Sequence, residues 1–166
     1  MFFNAEHFTT VWKQESQATA RLLEKLTDAS LALPKGEDIR TVGRAAWHVV
    51  TTMPEMAGHV GIPVEGVTYT DPVPARAAVI VEAYRKAAAS ILKAVEKWPE
   101  ADFLKEDDMY GQMWKRGQSL WALVTHEIHH RGQLTVLMRL AGLPVVGVYG
   151  PSKEEWSQYG AKPPEV

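Results

Sequence analysis

The stretch from about Gln118 to Ala141 constrains the fold more than any other part of the chain. Apolar residues recur through it at helical spacing. Gly142 and then Pro144 stop it, because glycine suits a left-handed cap and proline cannot continue a helix. The inward face of this helix is expected to hold Leu123, His126, His130, Gln133 and Leu137, which fall within about 80° of one another. His126 and His130 lie about 40° apart around the axis and about 6 Å apart along it, so both imidazoles can reach one ion. Imidazoles on a core-facing stripe need hydrogen bonds or a metal to offset their desolvation. Any fold for this chain must therefore bring a polar partner to that face. His129 points about 100° away from His130, and it is expected at the rim together with Arg131. The competing account is an ordinary run of surface histidines.

Three further stretches show the same periodicity. From about Ala5 to Thr27, Phe8, Val11, Trp12, Ala18, Leu22, Leu23 and Leu26 make an apolar stripe, with Glu15 and Thr19 within or beside it. A second helix is predicted to begin near Thr41, whose hydroxyl can cap free N–H groups, and to run through Met53, with a kink expected at Pro54. His48 lies beside its apolar stripe, in line with Ala45 and Thr52. Residues 58–74 carry three prolines and two further glycines beyond Gly58, a loop composition, with His59 expected to be solvated at its start. A third helix is expected over about 75–97, stopped by Pro99. Residues 100–118 are acidic and then aromatic, and within them Met109-Tyr110-Gly111-Gln112-Met113-Trp114 is equally compatible with an extended hairpin or a lid-like loop. Ser152-Lys153-Glu154-Glu155 matches a capping box, predicting a short helix that carries Trp156 and Tyr159 back onto the body.

These elements define an all-α chain, a four-helix bundle spanning residues 1–166 as one domain. With 46% hydrophobic and 23% charged residues, disorder is excluded. A formal net charge of -2 without a basic cluster argues against nucleic acid as a partner. The absence of cysteine removes disulfides and thiolate metal sites, which suits a cytoplasmic setting. The first residues do not read as a signal peptide, and no apolar run approaches the length of a membrane span.

His126-Glu127-Ile128-His129-His130 also fits H-E-x-x-H, in which the glutamate serves a peptidase as general base. The extended form would need glycine at 133 and histidine at 136, where Gln133 and Val136 stand. A downstream glutamate ligand would have to be Glu154 or Glu155, beyond the Gly142 break.

His48, the run His126-Glu127-Ile128-His129-His130-Arg131-Gly132-Gln133 and the ending Gly147-Val148-Tyr149-Gly150-Pro151-Ser152 together resemble the DinB/YfiT-like superfamily of damage-inducible, metal-binding proteins. The resemblance implies a bundle in up-down-down-up order, which a long crossover between helices 2 and 3 would permit. It implies a divalent metal, nickel or zinc, on His48, His126 and His130. It also implies homodimers, and in some relatives a low-molecular-weight thiol activated for transfer. Glu127, Gln133 and Glu15 are candidates for relaying protons or orienting a histidine or ligand around that site. The favoured function is a metal-dependent enzyme on a small-molecule substrate, of thiol S-transferase or hydrolase type. The alternatives are a non-catalytic metal-binding stress-response module and a zincin-like peptidase using His126, Glu127 and His130.

Overall fold

The structure is a computed structural model that describes residues 1–165. Helix α1 spans Ala5–Leu23, α2 Val42–His59, α3 Ala77–Val95 and α4 Arg116–Leu140. Their starts follow local chemistry. Asn4 caps α1 by accepting from the His7 amide, and Thr41 caps α2 by accepting from Arg44. Helix α2 continues through Pro54 to His59. Short 3₁₀ turns follow α1 at Asp28–Ala32 and α3 at Glu100–Leu104.

The expectation of a purely helical chain is corrected by one hairpin. Strands β1 (Glu106–Met109) and β2 (Gln112–Lys115) pair antiparallel, with Asp107 opposite Trp114. Tyr110 and Gly111 join them with φ of 58° and 84°. Positive φ at both central positions gives a two-residue turn the twist that suits a hairpin. The expected C-terminal helix reduces to a 3₁₀ turn at Trp156–Tyr159, and Tyr159 is exposed. Half of the predicted capping box forms: Glu155 Oε2 accepts from the Ser152 amide at 2.9 Å.

Specific contacts give the helix directions. Trp12 Nε1 donates to the Ala88 carbonyl at 3.0 Å while Leu23 and Ala77 border one groove, so α1 and α3 run in opposite senses. Phe2 meets Gly117 and Glu15 meets Arg131, so α1 and α4 run in the same sense. His48 meets His130 while His59, at the other end of α2, meets Asp108 ahead of α4, so these two oppose each other. Helices α2 and α3 therefore point the same way, and residues 60–76 must travel back along the bundle to join them. Trp47 Nε1 pins that crossover by donating to the Asp71 carbonyl at 2.7 Å.

The core lies between the four helices, with Trp12, Leu22, Val50, Met53, Ile80, Ile91, Leu120 and Leu134 fully enclosed. The first residues close one end of it. The Phe2 amide donates to the Gly117 carbonyl, and a Cβ at position 117 would stand 1.9 Å from the Phe2 carbonyl oxygen. Only glycine admits that approach.

Candidate metal centre

His48 comes from the first half of α2, and His126 and His130 come from successive turns of α4. All three side chains are half-buried where α2 faces α4. His130 Nε2 lies 3.0 Å from His48 Nε2 and 3.1 Å from His126 Nε2. One ligating nitrogen from each ring lies within 4.8 Å of the others.

The protonation pattern follows from the neighbours. Gln133 Oε1 accepts from His130 Nδ1 at 2.7 Å, so in a neutral ring the Nε2 of His130 carries a lone pair. That single in-plane lone pair cannot serve two facing imidazoles, yet both His48 and His126 point at it. Burial, then the neighbouring His130 and Arg40, holds the His48 imidazole down at about 4. Burial and then His130 holds His126 at about 4 as well. His130 is lowered too, chiefly by burial and partly opposed by its bond to Gln133. All three rings are therefore uncharged near neutral pH and offer lone pairs.

These residues fit a divalent metal. Nitrogens bound to a common ion at about 2.0–2.1 Å, with angles from octahedral to tetrahedral, stand roughly 2.9–3.4 Å apart. The two spacings at His130 fall within that range. A neutral imidazole set also suits zinc or nickel, and Gln133 fixes one ring's orientation through its remote nitrogen.

A second face of α4, about 100° round from the histidines, carries a separate polar network. Glu127 is 3% exposed and Arg131 2%, so Arg131 is not at the rim as expected. Arg131 Nη2 donates to Glu15 Oε2 at 2.5 Å and to the Tyr149 hydroxyl at 2.8 Å, and Nη1 donates to Thr19 Oγ1 at 3.2 Å. Thr19 and Tyr84 each donate to Glu127 Oε1 at 2.7 Å. Glu127 Oε2 has no partner, and burial raises its carboxyl above the usual range. Glu15 and Glu127 therefore engage this network rather than the histidines. Of the three residues expected around the site, Gln133 is the one that touches a histidine, and it does so from an exposed position rather than the inward face. His129 is exposed as predicted and accepts from Gln133 Nε2. His59 is half-buried rather than solvated, its Nδ1 2.9 Å from the Asp108 carbonyl.

The peptidase geometry is not assembled. Glu154 pairs with Arg139, and Glu155 accepts from Gly147 and Ser152. The third member of the cluster is His48. Two residues near the site escaped the sequence reading: Arg40 and Arg44 border a cavity of about 550 Å³ that reaches His48. The available signal was Arg44, one helical turn ahead of His48. A second cavity, about 500 Å³, reaches His130 and Gln133. A groove of about 820 Å³ between α1 and α3 contains none of the histidines.

Fold and site define a class: a helical bundle whose facing helices present three histidines to one point. Comparison with known proteins makes this specific. The DinB family profile matches residues 1–165, and the chain belongs to that family. It is 36% identical to the uncharacterized protein YrdA of Bacillus subtilis (strain 168), over the full length of both chains. A crystal structure of a DinB-like protein from Bacillus cereus ATCC 10987 is 39% identical, with a TM-score of 0.85 over 90% of this chain and 100% of that one. The DinB-like protein YjoA of Bacillus subtilis, 20% identical with a TM-score of 0.67 over 87% and 98% of the two chains, shares the fold.

Proposed function

We propose that this chain, an up-down-down-up bundle, is a divalent-metal enzyme acting on a small molecule at a centre formed by His48, His126 and His130. The observation that carries this is the convergence of three uncharged imidazoles on one point bordered by open cavities. A bound nickel or zinc ion would supply Lewis acidity, lowering the pKa of a coordinated water or low-molecular-weight thiol. The chain's own residues do the rest. Helix α4 sets two ligands one turn apart, α2 brings the third, and Gln133 holds His130 with its Nε2 aimed at the others. The walls by His48 and His130 select what approaches. The reaction type is of S-transferase or hydrolase kind. A homodimeric state, a cytoplasmic setting and the lack of nucleic-acid partners belong to the same proposal, resting on composition and family likeness. No helix of the described residues is long and apolar enough to cross a membrane.

The test is elemental analysis of untagged protein, wild type beside His48→Ala and His130→Ala. About one divalent ion per chain, lost in both variants, is the expected outcome. Wild-type protein that carries no ion and takes up none when offered would sink the proposal. A purely structural metal would be favoured if the loaded ion proved inaccessible to small exogenous ligands. The cavities beside His48 and His130 speak for access.

A further inference from the structure

Arg40 and Arg44 stand at the mouth of the centre, and neither guanidinium has a carboxylate within ion-pair distance among the described residues. Arg40 immediately precedes the Thr41 cap of α2, and Arg44 lies one turn before His48, so Arg44 and His48 share a helix face. With Trp47, Tyr69 and Pro72 they enclose the cavity of about 550 Å³. The crossover loop forms its outer wall and is fastened there by the Trp47–Asp71 hydrogen bond.

One carboxylate borders this cavity, and it is engaged elsewhere. Asp71 Oδ2 accepts from the Thr68 amide at 2.8 Å, and Oδ1 accepts from the Thr68 hydroxyl at 2.6 Å. Both arginine forks are thus left to an external acceptor. Arg40 also borders the second cavity, where Ile39, Val136 and Leu137 supply an apolar wall beside His130 and the exposed Asp38 is the one carboxylate in the lining.

We infer that the centre takes small organic oxyanions: a carboxylate or phosphate group docks on Arg40 and Arg44, with the apolar body of the ligand against Ile39, Val136 and Leu137. The inference rests on the metal-centre proposal and names its substrate class. A planar guanidinium matches either group with paired N–H donors, whereas an amide of the same shape offers no charge to meet.

The experiment is calorimetric titration of zinc-loaded protein at constant ionic strength with benzoate, phenyl phosphate and the neutral benzamide. Zinc is counted before each titration. The expected result is saturable binding of benzoate or phenyl phosphate, with benzamide at least about tenfold weaker, as for loss of a charge-assisted hydrogen bond. An Arg40→Gln/Arg44→Gln variant should lose about tenfold or more in anion affinity while retaining its zinc. Both side chains are exposed, so this variant should fold. The tighter of the two anions identifies the headgroup. The inference fails if neither anion binds, if benzamide binds as well as benzoate, or if the double variant binds anions unchanged, as it would were they held by the ion alone. Failure of the wild-type protein to hold zinc would instead defeat the metal-centre proposal. The same titrations on metal-free protein would then show whether the arginines still select anions.

Discussion

Glu127 follows His126 directly in the chain, yet the two side chains lead separate lives. The roughly 100° step between helix neighbours sends Glu127 into the core, where Thr19 and Tyr84 donate to it. Glu127→Ala should therefore destabilise the fold by about 2–3 kcal/mol, because it leaves buried hydroxyls without an acceptor. Glu127→Gln should cost much less, and both variants should keep the metal. Denaturant midpoints together with metal content test this, and loss of metal in Glu127→Gln would contradict the assignment. Gln133 presents the reverse case. It is exposed and little used for packing, but it holds His130. Gln133→Ala should weaken metal affinity about 10–100-fold, as removal of a partner of a metal-bound histidine commonly does. Its unfolding midpoint should barely move. Competition against a chelator of known affinity would measure the first, and unaltered affinity would show that His130 needs no such support.

At the scale of elements, the four helices were legible because each carries a long apolar stripe between clear stops. Thr41, Gly142 and Pro144 act within a few residues, so local chemistry sets those ends. The hairpin at 106–115 was legible only as one of two alternatives. Its first strand is Glu-Asp-Asp-Met, with no alternation of apolar and polar residues, and its signal is confined to the turn at Tyr110-Gly111. Arg131 was misplaced for another reason: its carboxylate partner lies 116 residues away on α1, beyond any local pattern. His48 likewise joins the centre across 82 residues, and it was family likeness rather than spacing that identified it. Two elements invite tests. Gly117→Ala should cost about 1–3 kcal/mol, as overpacking does, because the Phe2 backbone must yield. Thermal unfolding would register this, and an unchanged midpoint would mean that the N-terminal residues dock elsewhere. In the tail, hydrogen bonds from Ser152 and Gly147 lower the Glu155 carboxyl below its ordinary 4.5. A depressed folded-state value means that this carboxylate stabilises the docked tail above about pH 4.5. The contribution fades as pH falls through the lowered value. Protection of the Gly147 and Ser152 amides against hydrogen exchange, relative to their intrinsic rates at each pH, should fall over that interval, and pH-independent protection there would refute the role.

For the molecule as a whole, the histidine cluster joins α2 to α4 at mid-length, while α1 and α3 pack on the far side through apolar contacts and the Glu15–Arg131–Glu127 network. An ion held there would bind the folded state, so saturating metal should raise stability by about 2.7 kcal/mol at a free concentration a hundredfold above its Kd. Chelation should lower the melting temperature of wild type and leave His48→Ala unmoved. A wild type indifferent to chelation would show that the ion, if present, is uncoupled from folding.

Helix α4 carries two four-residue pairs offset by a single position, His126 with His130 and Glu127 with Arg131. Slipping the helix by one residue would turn Glu127 and Arg131 toward α2, away from Thr19, Tyr84 and Glu15, and push imidazoles among the core hydroxyls of Thr19 and Tyr84. Neither exchange is tolerable, so the two pairs act like a key and its slot. They fix the rotational setting of the longest helix, something that a smooth apolar stripe tolerant of several rotations would leave undecided.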